Sequence, residues 1–318
     1  SRNTINIMAI MPAAQVSDEE MEAMEEDVRN SSKTSLLSMK ITSVITFVQL
    51  MMGKEEMTIS EETTLSVTLT KLYADFGITN DDASIWENRE KRIVKDMPIL
   101  EDLYSRLEFD LSMSRITTVL LRCVDGDCQS LNGHTNVDLT NRYIVFDVDK
   151  DAIPERLLPT FMYVAYDCAS SMAKESEINF DAIFLDEVWL MMVNETIAKQ
   201  VKALVKLLRA YAACVILATQ DLEDFLNCAG GFGASVLNNT EIKFFLKLNE
   251  NEIDLVQEYM HFSTKEYKTL QKLDHQALIC SNGEKLKCDL LASKHEIMAL
   301  STDPNIVKAR KQKEYDLA

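Results

Sequence analysis

The sequence predicts an α/β fold, a mainly parallel sheet carrying an inserted all-helical block. From about residue 33 to residue 123 the apolar residues recur almost wholly at helical spacing. After residue 130, strand-like and helix-like runs alternate at roughly the 30-residue repeat of βαβ units. A third observation is FDAIFLDEVW, residues 180–189, an apolar run that ends in two adjacent carboxylates, Asp186 and Glu187. Carboxylates are rarely buried alone, so this strand either emerges at a surface or presents them to a cation.

The elements follow in order, with expected divisions at 1–30, 31–128 and 129–318. INIMAIM (5–11) reads as a strand or extended edge broken by Pro12, and the acidic run 17–27 as a solvated helix start or mobile loop. In the helical insertion, Leu37, Ile41, Val44, Ile45, Val48 and Met52 mark one apolar face. The next helix is punctuated by Ser60 as N-cap, by Glu61 and Glu62 at the positive end of the dipole, and by Gly77 as a left-handed stop. Leu65, Leu69, Leu72 and Phe76 form its buried stripe. Helices are also expected over IWENREKRIVKD (85–96) and, after Pro98, over 100–123.

In the core, RYIVFDV (142–148) suits a buried strand and 156–174 a helix. The strand DAIFLDE (181–187) leads into a long helix carrying Ile197, Val201, Leu204, Val205 and Leu208. CVILATQ (214–220) and EIKFFLKL (241–248) are further strands, with Lys243 and Lys247 of the latter facing outward. Ser263 and Glu266 make a capping box, and 275–291 reads as a hairpin about Asn282-Gly283. The tail 307–318 is polar and expected to fray.

Bulk composition narrows the function. The 318 residues hold 33 Lys+Arg against 51 Asp+Glu, a formal net charge of -18. That argues against a surface that coats nucleic acid, yet permits a local basic channel. Seven cysteines without a CxxC read as reduced thiols and not as a metal cluster. No apolar run approaches the ~18 residues of a membrane span. The chain opens SRNTINIMAIM, with no initiator Met, and is expected to be a cut end.

In open parallel sheets ligands bind beyond the carboxyl ends of the strands. Ile183, Phe184 and Leu185 lead into Asp186-Glu187, which has the form of a Walker B motif, in which the Asp holds magnesium and the Glu polarises water. Val215, Ile216 and Leu217 lead to Ala218, Thr219 and Gln220, whose amide can donate to a phosphate oxygen. Spacing alone leaves a plain strand exit open as well.

LDEVW, a helix ending LLRAY and VILATQDLEDFL together resemble the large ATPases of conjugative DNA transfer, the TraE/TraC-type family of type IV secretion systems. INIMAIM, the segment 37–73, NGHTNVDLTNRYIVFDV, VLNNTEIKFFLKL and ALICSNGEKLKCDLLASKHEIMAL resemble the same family, and LDEVW with LATQ also fits the wider group of FtsK and HerA translocases. The resemblance implies a RecA-like P-loop core that binds ATP and Mg, assembles with itself as a hexamer, and works at the cytoplasmic face of the membrane components of a secretion channel. DNA or a relaxase–DNA substrate would be met indirectly. It implies Asp186 as the magnesium carboxylate, Glu187 as catalytic base and Gln220 as γ-phosphate sensor. Arg209 matches the family's arginine before the TQ strand, either a finger onto a neighbour's nucleotide or a helix-terminal cation. Trp189 is expected to pack.

One departure matters. The family's phosphate-cradling loop, GxxxxGK[ST], is absent from the sequence. GGFG (230–233) lacks the lysine, and Asn30-Ser31-Ser32-Lys33-Thr34 lacks the glycines and reads as a helix N-cap. The loop is expected upstream of Ser1, making this chain a piece of a longer ATPase. A non-catalytic structural subunit, or an FtsK-like DNA translocase, are the competing readings.

Overall fold

The computed structural model describes residues 3–12, 34–148, 153–175, 181–192, 195, 198–199, 201–202, 208, 213–301 and 303–317. The acidic run 17–27, Arg209, and Ile197, Leu204 and Val205 of the expected long helix lie outside them. Contacts divide the chain into two compact units, 1–235 and 236–318.

The first unit begins with the helical block. α1 (Leu36–Met52) is capped by Ser35, whose hydroxyl accepts from the Ser38 amide. The cap thus lies just beyond the 30–34 segment expected to supply it. Leu37, Ile41, Val44 and Val48 are buried as expected, joined by Phe47, Leu50 and Met51. The cap of α2 (Ile59–Asp75) lies two residues earlier than predicted. Thr58, not Ser60, is the N-cap, because its hydroxyl accepts from the Glu61 amide while the Glu61 carboxylate accepts from the Thr58 amide at 2.8 Å. Gly77, at φ +71°, ends the helix as expected, with its amide on Ala74 O and the Ile78 amide on Tyr73 O. The buried stripe is Leu65, Leu69, Leu72 and Tyr73, with Phe76 only half-buried.

The segment 85–96 is not a helix. It forms an antiparallel pair, β1 (Trp86–Asn88) with β2 (Ile93–Val94). Its apolar residues sit at the two ends with only charged and polar residues between, so no helical stripe exists. Asn88 instead accepts from the Lys91 amide and closes a turn. The segment 100–123 is two helices, α3 (Leu100–Leu107) and α4 (Ser114–Asp125). Asp110 breaks them by accepting from the Ser112 amide. Residues 3–12, expected as a strand or extended edge, join no sheet among the described residues and turn at Ile7-Met8, where the Ala9 amide donates to Asn6 O. Thr4 exchanges hydrogen bonds with Asn136, Asn6 donates to Pro98 O, and Ile7, Met8 and Ile10 are buried.

α5 (Leu158–Glu175) carries Tyr166, Ala169 and Ala173 onto the strand pair β3 (Asp181–Leu185) and β4 (Ala213–Leu217), where Ile183, Ala213 and Leu208 form the core. The two strands are parallel. The opposite face leaves Phe184 and Ile216 exposed. RYIVFDV, expected to be a buried strand, pairs with no strand among the described residues, and Tyr143 and Val145 stand exposed. β-branched residues favour a pleated, half-buried surface only where a neighbouring strand supplies one.

α1 and α5 are joined by a buried ion pair, Lys40 Nζ to Asp167 Oδ2 at 2.6 Å, with the two side chains only 7% and 12% exposed. Burial raises the Tyr73 and Tyr166 hydroxyls above their ordinary range, helped at Tyr73 by Asp167 and at Tyr166 by Tyr163 and then Asp167. Burial likewise pushes thiols up, Cys123 to about 12 and Cys168 to about 11.

α6 (Trp189–Met192) and α7 (Leu222–Leu226) follow β3 and β4, and α8 spans Phe232–Asn239. The second unit is an antiparallel sheet ordered β5 (Ile242–Phe245), β6 (Gln276–Ser281), β7 (Glu284–Asp289), with helices α9 (Glu250–Met260) and α10 (Thr264–Leu270). Asn282 and Gly283, at φ +49° and +79°, make the tight turn their identity predicts. Of the strand lysines, Lys247 pairs with Asp274 at 2.9 Å, whereas Lys243 is half-buried and donates to Thr240 O. Beyond α11 (Lys294–Leu300), the polar tail expected to fray is instead helical, α12 (Pro304–Leu317).

The expected capping box at Ser263 and Glu266 forms, and Glu266 also pairs with Lys285 at 2.9 Å. Lys285 and the Ser263 amide hold the Glu266 carboxyl down at about 2 from an ordinary 4.5. A depressed carboxyl stabilises above its unfolded pKa and loses that contribution as pH falls through the folded one. Stability measured between pH 4.5 and 2 should therefore fall less steeply in Glu266→Gln than in the native chain. Lys40→Met should cost about 3 kcal/mol in chemical denaturation, because it strands a buried carboxylate, whereas Lys40→Met with Asp167→Leu should recover to within about 1 kcal/mol. Equal losses in the single and double variants would show that the pair is not what the packing depends on.

Candidate nucleotide site

β3 and β4 pair in strict register, Asp181 with Ala213 through Leu185 with Leu217. The chain leaves both strands at one level, so the residues after Leu185 and those after Leu217 share one rim. Two further hydrogen bonds extend the pairing past the strand ends. The Ala218 amide donates to Leu185 O at 2.9 Å, and the Val188 amide donates to Ala218 O at 3.0 Å. Val188 is buried and anchors the turn, leaving Asp186 exposed and Glu187 half-buried.

The turn is tight. Glu187 sits at φ +51°, in the left-handed region that L-residues enter at a cost. Its amide donates to Asp186 Oδ1 at 2.9 Å, which holds the Asp carboxylate against the backbone. The Trp189 indole donates to Glu187 Oε2 at 2.8 Å. Trp189 therefore does more than pack. It fixes the orientation of the second carboxylate, a role its sequence signature, a donor-only ring two residues downstream, allows but does not announce.

On the neighbouring strand, Thr219 is tied to the chain ahead. Its hydroxyl donates to Asp221 O and accepts from the Asp221 amide, and Asp221 caps α7 by accepting from the Asp224 amide at 2.8 Å. Gln220 projects from this braced loop and is exposed. The structure thus brings Asp186, Glu187 and Gln220 to one rim, while Arg209 lies outside the described residues.

An exposed carboxylate suits magnesium, which takes one or two protein carboxylates and completes its shell with water and substrate phosphates. Among the described residues no cluster of three or more metal-ligating side chains exists, so any ion here would rely on such outside ligands. The rim offers two carboxylates and one amide. The cradle of backbone amides that GxxxxGK[ST] forms has no counterpart in the sequence.

The fold is similar to the solved structure of VirB4 of Thermoanaerobacter pseudethanolicus, with a TM-score of 0.74 and 20% sequence identity, over 93% of this chain and 75% of that one. No curated protein sequence matches the chain. The family described as the TraG P-loop domain matches residues 28–289, a span that includes β3, β4 and the whole rim between them. This chain belongs to the TraG P-loop domain family.

Proposed function

We propose that the chain is an ATPase motor subunit that energises conjugative transfer through a type IV secretion system. Membership in a P-loop family supports the chemistry, and likeness to VirB4, a type IV secretion ATPase, supports the setting. The observation that carries the residue assignment is the β3–β4 register, which delivers two carboxylates and an amide to one rim.

In this reading Asp186 holds magnesium, in part through water. Bound magnesium nucleotide supplies the electrophilic phosphorus and the leaving group. Glu187 takes the proton of the attacking water at its carboxylate, which the Trp189 indole keeps in one orientation. Gln220 donates its amide toward a phosphate oxygen, and its braced loop limits how far it can move. Arg209 reaches the nucleotide of a neighbouring copy in a hexamer and spreads the transition-state charge. Among the described residues no helix is long and apolar enough to cross a membrane. The missing GxxxxGK[ST] supports a second reading, a structural subunit with no turnover of its own.

Titration of labelled ATP into this chain should give weak binding and negligible hydrolysis. Micromolar, magnesium-dependent binding would overturn this expectation. Where ATP turnover is measured, Glu187→Gln should retain nucleotide while turnover drops about 10²–10⁴-fold. Undiminished turnover removes Glu187 from the base role. Trp189→Phe keeps the ring and deletes the donor. It should lower kcat roughly tenfold, the equivalent of one hydrogen bond, with KM unchanged.

A further inference from the structure

RYIVFDV, the segment that Arg142 opens, has the alternation of a strand without a strand's neighbours. From Tyr143 to Val148 exposure alternates residue by residue. Tyr143, Val145 and Asp147 stand in solvent, while Ile144, Phe146 and Val148 are half-buried. That is the two-residue period of a pleated chain lying on a body. Its start is fixed by Asp138, whose carboxylate accepts from the Thr140 amide at 2.9 Å, from the Thr140 hydroxyl and from the Asn141 side chain. Among the described residues, no backbone amide or carbonyl from Tyr143 to Val148 bonds to a protein group.

Open backbone groups along a strand are a template for pairing, and folded proteins block such an edge with proline, lysine or a bulge. Between Arg142 and Asp147 this edge carries only Tyr143, Ile144, Val145 and Phe146, with neither proline nor lysine. That chemistry sets the occupant. Only another polypeptide offers donors and acceptors at the spacing of a strand; a lipid surface or a phosphate backbone does not. A second copy fits poorly. Parallel pairing in register sets Arg142 against Arg142 and Asp147 against Asp147, and like charges opposed across strands repel. Antiparallel pairing about Val145 matches the faces but sets Arg142 against Val148, with no carboxylate opposite. Sliding by one residue sets Arg142 against Asp147, but then the half-buried row of one copy lies beside the exposed row of the other. Neither antiparallel register satisfies charge and face together.

We propose that residues 142–148 take up a strand from a different protein. The incoming segment runs antiparallel, with apolar side chains beside Ile144 and Phe146, an acid opposite Arg142 and a base opposite Asp147. The backbone ladder supplies the affinity, and the two end charges fix direction and register. The inference stands on the open backbone alone, so it survives or fails independently of the motor assignment.

Amide hydrogen exchange, followed residue by residue by NMR with and without a synthetic peptide, tests it. The peptide alternates threonine and valine, with valine set opposite Ile144 and Phe146, glutamate opposite Arg142 and lysine opposite Asp147. With the peptide at about ten times its Kd, every second amide between 143 and 148 should exchange about tenfold more slowly, its neighbours unchanged. Contact through side chains alone does not single out alternate amides. Methylating the peptide's chain-facing amide nitrogens should abolish the protection. Asp147→Lys should weaken binding about fivefold, and a peptide with glutamate in place of that lysine should restore it. An unchanged thermal melt shows that this variant remains folded. The proposal is overturned if the peptide leaves exchange unaltered, if the methylated peptide protects equally, or if the charge swap restores nothing. It is overturned as well if protection rises with chain concentration in the absence of peptide, which assigns the edge to a second copy.

Discussion

The arrangement at the rim depends on a short ladder of backbone hydrogen bonds that does not stop where the strands stop. In a parallel pair the bonds are evenly spaced, and a shift of one residue would send every side chain to the other face. Here the ladder runs through Leu185 and Leu217 and is then closed by Ala218 on Leu185 and Val188 on Ala218. Those last two bonds make the difference between a strand that merely ends and one that turns sharply over its neighbour. With Val188 buried as the anchor, the acidic pair has nowhere to go but outward.

Behind the rim, packing transmits constraint from the helical block. α5 lies on the strand pair through Tyr166, Ala169 and Ala173, small or flat side chains that let the helix approach closely. The same helix is pinned from its other side by Lys40 of α1. A buried ion pair is weak evidence of stability, because desolvation offsets much of the attraction. It is better evidence of specificity, since an apolar contact can slide by a methylene while a 2.6 Å ion pair cannot. Helical block and site are thereby fixed in one arrangement.

How much of this could be read from residues alone varied with the kind of signal. Strands flanked by polar exits, the Asn282-Gly283 turn, the Ser263 capping box and the Gly77 stop were legible, because each depends on chemistry within a few residues. Segments whose conformation depends on distant partners were not. RYIVFDV has a strand's composition but no neighbouring strand among the described residues. IWENREKRIVKD has a helix former's charges but no apolar stripe. The site was legible as far as its placement, since Asp186, Glu187 and Gln220 emerge together. The Trp189 contact was not, because a hydrogen bond between side chains depends on a turn whose backbone angles no pattern specifies.

That turn has an implication for how far the protein could be stabilised. A non-glycine residue held at φ +51° carries about 1–2 kcal/mol of conformational penalty. Glycine would adopt the same backbone without it, but glycine has no carboxylate. Position 187 is thus a point where robustness and reactivity pull in opposite directions. A variant library screened for heat resistance alone would tend to erase the very group on which the proposed hydrolysis depends.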